Sequence, residues 1–149
     1  MTIDVEVLDP RWLESLRTAR SICRRAAQAA IDGGGKRLPD RVSIVVALDS
    51  DAAVRRLNRT YRGKDKPTNV LSFPGAEPFL GDIVLARQTV LREARDQGKR
   101  PAAHLTHLVM HGTLHLLGYD HERSERQARR MERLETRLLA TMGIADPYA

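Results

Sequence analysis

A small α+β domain is the fold this sequence predicts: a single domain over residues 1–149, with a mixed sheet of about four strands packed with about five helices and a metal site on a central helix. Three observations predict it. A chain of 149 residues with 42% apolar content suits one packed core rather than disorder. Hydrophobic periodicity switches between strand and helix repeats in the order β-α-β-α-β-β-α-α-α. The most apolar helix carries a stripe of histidines, which must face a cleft because buried polar groups need partners.

Each element has its own signal. Ile3, Val5 and Val7 alternate with Asp4 and Glu6, the period of a half-buried strand, and Pro10 ends it. From about Arg11 to Ile31 a helix is expected, with Trp12, Leu16, Ala19, Ile22, Ala26 and Ala30 on one face and Arg17, Arg20, Arg24 and Arg25 on the other. Gly33, Gly34 and Gly35 form a loop; it is no phosphate cradle, because Lys36 lacks a following Ser or Thr. Val42 to Leu48 is a second strand, and its unbroken apolar run from Ile44 suits burial on both faces. Ser50 or Asp51 caps a helix to about Tyr61, with Val54 and Leu57 inward.

Pro67 forbids helix, and Val70, Leu71 and Phe73 make a short strand before Pro74. Gly81 to Ala86 makes another, with Ile83 and Leu85 on one face and Asp82 and Val84 on the other. Arg87 to Gln97 reads as a helix stopped by Gly98. Pro101 opens a helix to about Leu117, apolar nearly all round through Leu105, Leu108, Val109, Met110, Leu114 and Leu116. Ser124 caps a last amphipathic helix to about Met142, basic through Arg126, Arg129, Arg130, Arg133 and Arg137.

Charge and composition bound the function. Lys and Arg number 25 against 19 Asp and Glu, a net +6 that favours polyanionic partners. The few aromatics, Trp12, Tyr61, Phe73, Phe79, Tyr119 and Tyr148, argue against a stacking platform and for phosphate contacts. Cys23 is the only cysteine, so no internal disulfide forms and a reducing compartment is expected. The N-terminus shows no secretory signal and no apolar run approaches the ~20 residues of a membrane span, so the expected location is the cytoplasm, with no membrane partner.

The chemistry centres on His-Gly-Thr-Leu-His-Leu-Leu-Gly-Tyr-Asp-His, His111 to His121. His111 and His115 lie one helical turn apart on the same face. Gly118 stops the helix and lets the chain return His121 to the same point. Three imidazoles with one open position fit a catalytic zinc site, one ion per chain. His107 is not expected as a ligand, because it stands ~12 Å along the axis from His115; His104 is further still. The same spacing occurs in metzincin peptidases, but those carry Glu directly after the first histidine. Here Gly112 occupies that position, so the metal is kept and the peptidase base is missing.

A second constellation runs from Leu57 to Pro74, where Arg62, Lys64 and Lys66 stand within five residues. Taken together with the histidine motif it resembles one family, YbeY, the bacterial endoribonucleases and rRNA maturation factors. The matching residues are Leu57, Asn58, Tyr61, Arg62, Asp65, Thr68 to Pro74, Leu80 to Ile83, and His111 to His121; before about Val42 only the general layout matches. The resemblance implies a zinc-dependent, single-strand-directed RNase acting in 16S rRNA 3′-end maturation and ribosome quality control. It implies zinc on His111, His115 and His121, with Arg62 and His111 as catalytic residues. It also implies an rRNA precursor as substrate, and as partners the small ribosomal subunit, one of its proteins and a ribosome-assembly GTPase.

The residues permit a matching mechanism. Zinc lowers the pKa of bound water to about 7 and polarises a phosphoryl oxygen, so no carboxylate base is needed. Arg62 forks onto phosphate oxygens as no lysine can. Asp120 is expected to orient a zinc-bound imidazole, and Arg59, Lys64, Lys66 and Arg126 to hold RNA. Two other classes are a metallopeptidase-like hydrolase, weakened by Gly112, and a non-catalytic assembly factor whose structural zinc would be closed by four protein ligands.

Overall fold

The strand signals of the sequence become one mixed sheet in a computed structural model that describes residues 1–149. Its strands are β1 (Thr2–Val7), β2 (Ser43–Asp49), β3 (Val70–Pro74) and β4 (Phe79–Ala86), in the spatial order β1-β2-β4-β3. β2 runs parallel to β1 and to β4, while β3 runs antiparallel to β4 and forms an edge of the sheet. The two interior strands are the two with buried apolar side chains on both faces, as their position requires.

Six helices surround the sheet: α1 (Arg11–Ser15), α2 (Ala19–Gly33), α3 (Asp51–Arg62), α4 (Arg87–Asp96), α5 (Pro101–Leu116) and α6 (Glu125–Thr141). The sequence predicts about five, because it reads Arg11 to Ile31 as one helix. The chain instead breaks at Leu16, whose φ of −151° and ψ of 94° are extended. The break lets both Trp12 and the Ala19, Ile22, Cys23 and Ala26 face of α2 join the same core. Trp12 is fully buried, and its indole N–H donates to the Asp49 carbonyl at 2.8 Å, which ties α1 to the end of β2.

Strand alternation assigns the layers. Ile44, Val46, Leu48, Ile83 and Leu85 point to the side covered by α2 and α5. Ala47, Leu71, Val84 and Ala86 point to the opposite side and pack on Val54 of α3. α6 closes over α5 through Met110, Leu114, Met131, Leu134 and Leu138. Burial pushes the Cys23 thiol up to about 12, which keeps it a neutral core group. No helix is long and apolar enough to cross a membrane.

α5 comes unusually close to the sheet at Gly112. A Cβ there would lie 2.9 Å from Ile83 Cγ2 and 3.0 Å from Ser72 Oγ, and Ser72 already donates to the Gly112 carbonyl at 3.3 Å. Ile83 is fully buried and has nowhere to retreat. In an open helix Gly→Ala gains about 1 kcal/mol from helix propensity. Overpacking a tight core costs roughly 1–3 kcal/mol. The balance predicts that Gly112→Ala lowers the urea unfolding midpoint without changing the slope; an unchanged or higher midpoint would show that the contact yields.

Candidate metal centre and active site

The histidine motif opens onto a cavity of about 390 Å³ at the edge of the sheet formed by β3. Tyr61 and Arg62, the last residues of α3, form part of its wall. Thr68, Asn69, Val70, Ser72 and Phe73 come from β3 and its lead-in, and His111, His115, His121 and Glu122 from α5 and the turn after it. Alternation along β3 turns Leu71 toward α3 and Ser72 toward α5, so the cavity wraps the strand edge and sees both layers. A larger cavity of about 780 Å³ lies between α2, the start of α5 and the C-terminal residues, and includes His104 and His107. The smaller one holds the richer donor set.

Local structure delivers the three histidines. His111 and His115 are a turn apart on α5. Gly118 takes a φ of +103°, a conformation that costs a side chain strain, while the Tyr119 N–H bonds back to the Leu114 carbonyl. The chain reverses there, and the His121 ring comes to 4.9 Å from the His111 ring and 6.1 Å from the His115 ring, centroid to centroid. His111 Nδ1 lies 2.6 Å from Glu135 Oε1, and His115 Nδ1 lies 3.1 Å from the Tyr119 carbonyl. An acceptor at each Nδ1 draws an N–H to that nitrogen, so Nε2 is the one left to meet a metal.

Glu135 is the residue that sequence reasoning missed. It lies on α6, fully buried, on the same stripe as Met131, Leu134, Leu138 and Leu139. A carboxylate at an inward position of an apolar stripe was the available signal. Its Oε2 accepts from the Tyr148 hydroxyl at 2.7 Å and from His107 Nε2 at 3.3 Å, while Oε1 takes His111. Burial alone would raise this carboxyl; the hydrogen bonds and charge of His107 and His111 outweigh burial and bring it to about 2. Tyr148 is held well above the usual phenol range by burial and by the Glu135 charge.

Two donor groups on this surface could hold a cation: His107, His111 and Glu135, and His115, Asp120 and His121, each with ligand atoms within 4.8 Å of one another. The donor chemistry fits a borderline metal, since imidazole suits zinc and both groups are histidine-rich. His107, which the sequence discounts as a ligand, thus stands beside His111 on the same carboxylate. Both oxygens of that carboxylate are already engaged by His107, His111 and Tyr148. Asp120 makes no hydrogen bond to an imidazole. Its Oδ1 accepts from the Glu122 N–H at 2.7 Å, which with nearby His115, Arg123 and His121 lowers its pKa. The imidazole-orienting contacts come instead from Glu135 and the Tyr119 carbonyl.

Arg62 reaches the cavity because α3 ends there: the Gly63 N–H closes on the Arg59 carbonyl, and the Lys64 N–H on Asn58. Arg62 makes no ion pair within the chain, unlike Arg55, which is 2.8 Å from Asp65. Arg59, Lys64, Lys66 and Arg126 are exposed and lie outside the cavity wall.

Comparison with known proteins bears on this arrangement. The sequence profile of the family described as Endoribonuclease YbeY matches residues 14–143. A protein of Azorhizobium caulinodans named Endoribonuclease YbeY is 49% identical, with the alignment covering 100% of this chain and 97% of that protein. One of the same name from Alkalilimnicola ehrlichii is 53% identical over 84% of this chain and 78% of that protein. The solution structure of TM1509 from Thermotoga maritima superposes with a TM-score of 0.60 at 27% identity, covering 92% of this chain and 86% of that one.

Glu135 generates a pH prediction. Its carboxyl falls from an ordinary 4.5 to about 2 on folding, so its contribution is fully present above about pH 4.5 and is lost as the pH falls toward 2. Melting temperatures of the metal-free protein across that window are expected to drop more steeply for wild type than for Glu135→Gln. Parallel profiles would mean that the carboxylate does not carry the acid sensitivity.

Proposed function

The chain belongs to the YbeY family of endoribonucleases, and on that premise we propose that it is a zinc-dependent, single-strand-specific endoribonuclease acting in 16S rRNA 3′-end maturation and ribosome quality control. The observation that carries the reading is that Arg62 and the three histidines line one cavity. The zinc would be held by His111, His115 and His121, and when bound would supply Lewis-acid polarisation and an acidified water. Glu135 and the Tyr119 carbonyl fix the His111 and His115 rings with Nε2 free. Arg62, unpaired and planar, binds two oxygens of the scissile phosphate and offsets the charge that grows there during cleavage. Arg59, Lys64, Lys66 and Arg126 hold the flanking backbone by charge alone. A cytoplasmic site of action follows from an rRNA precursor as substrate, with the small ribosomal subunit, one of its proteins and an assembly GTPase as partners.

A peptidase reading is disfavoured by the space at Gly112, where Ile83 and Ser72 leave no room for the glutamate that chemistry needs. A scaffold reading with a closed zinc draws on Asp120, whose carboxylate lies near donors of His115 and His121. Against it, that carboxylate is bonded to the Glu122 N–H and faces Arg123 at 3.4 Å.

Two measurements test the reading. Elemental analysis of protein purified without added metal should give one zinc per chain, lost in His121→Ala and bound roughly 10–100-fold more weakly in Glu135→Gln. Full occupancy in His121→Ala would sink the ligand assignment. Single-turnover cleavage of an rRNA 3′-end fragment at saturating protein should fall ~10²-fold or more in Arg62→Ala, with zinc content unchanged. Arg62→Lys should not restore it. A wild-type rate at saturation would reduce Arg62 to a binding residue.

A further inference from the structure

Tyr61 is the most exposed large apolar side chain of the protein, at 70%, against 56% for Leu8, 46% for Tyr148 and 40% for Met1. Three other rings have structural work. Trp12 is fully buried on Asp49. Tyr119 donates to the Gly34 carbonyl and lies under the Arg130 guanidinium. Tyr148 is committed to Glu135. Tyr61 has no such commitment, yet it is not loose: Phe73 of β3 packs edge to face with it, 5.6 Å between centroids at 67°. The ring is therefore held in place while most of it stays in water.

Its position suggests its use. Tyr61 and Arg62 are successive residues at the end of α3, and both line the cavity that holds His111, His115 and His121. Successive helical residues project ~100° apart. A nucleotide likewise presents an anionic phosphate and a flat apolar base in different directions from one sugar. A guanidinium for the first and a braced aromatic ring for the second match that shape.

We propose that Tyr61 is a base-stacking subsite that receives one unpaired nucleobase adjacent to the phosphate bound by Arg62. The proposal rests on the RNA-cleavage reading above and adds to it a source of single-strand preference. A base inside a duplex has both faces covered by its neighbours, and giving one face to Tyr61 requires it to leave the stack and lose its pairing. An unpaired base meets no such cost. One ring serves one base, so the scarcity of aromatics elsewhere is no obstacle, and stacking is tolerant of base identity because every base has a π-face.

The test combines protein and substrate changes. Tyr61→Ala and Tyr61→Leu are compared with Tyr61→Phe on a short single-stranded RNA, and on the same RNA with one abasic nucleotide walked past the cleavage site. The expected result is a KM raised about tenfold or more in Tyr61→Ala and Tyr61→Leu, with kcat changed far less, and near wild-type behaviour in Tyr61→Phe. One abasic position should cost wild type a similar factor and cost Tyr61→Ala nothing further. Independent, multiplying effects would overturn the proposal, as would wild-type KM in Tyr61→Leu or loss of zinc or melting temperature in both aliphatic variants. If wild-type protein neither binds nor cleaves any RNA, the RNase reading itself fails and the subsite with it. If wild type cleaves but the abasic scan is flat, only the subsite fails.

Discussion

The close approach of α5 to β3 and β4 at Gly112 is the constraint on which the site depends. It brings helix backbone against the fully buried Ile83 and against Ser72. His111, the residue before, is thereby delivered to the edge of the sheet rather than into the core, with 24% of its side chain exposed. His115 follows one turn on. A side chain at position 112 would meet Ile83 at 2.9 Å and Ser72 at 3.0 Å, so helix or strand would have to give. The glycine that removes a peptidase base is thus also the one that sets the distance between helix and strand.

A second layer of constraint comes from α6. Histidines on a helix can turn about their own bonds, and a metal needs them fixed. Glu135 supplies that at His111, and it can be buried as an ion because three donors meet its two oxygens: His111, His107 and Tyr148. An unpaired buried carboxylate would shift its pKa upward and neutralise; here the direction is the opposite. The penultimate part of the chain is drawn into the same network through Tyr148, whose backbone N–H is held by Asp146 at 2.8 Å. Stability of the C-terminal residues and order at the candidate metal centre are therefore coupled through one carboxylate.

Much of this was legible in the sequence, for identifiable reasons. Strands and helices followed hydrophobic period, and the stops at Gly98 and Gly118 followed from backbone freedom at glycine, with φ of 65° and 103°. That His111, His115 and His121 line one cavity was legible, because their spacing is local to one helix and one turn, whereas the grouping of donor atoms was not: His111 sits with His107 and Glu135, and His115 with Asp120 and His121. The break at Leu16 was not, because Leu16 falls on the same helical stripe as Trp12 and Ala19; only packing both on one core decides it. Glu135 was not, because its histidine partners lie 24 and 28 residues away and periodicity says nothing of what faces an inward glutamate. The strand order β1-β2-β4-β3, which makes β3 an edge, is likewise a long-range outcome.

That edge explains why a cavity exists here at all. An edge strand presents unpaired N–H and C=O groups and invites pairing with other chains unless it is short, charged or covered. β3 is five residues long and ends in Pro74, which cannot donate. Cations at Arg62, Lys64 and Lys66 precede it in sequence, and histidines flank it from α5. The devices that keep the edge from pairing with another protein are positive charge and imidazole. Those same groups make it attractive to a polyanion, and they do so within reach of residues that can hold a metal. Protection of the strand and attraction for a polyanion are then one property of the same side chains. This accounts for the chemistry being gathered at a sheet edge rather than in the larger cavity between α2 and the C-terminal residues.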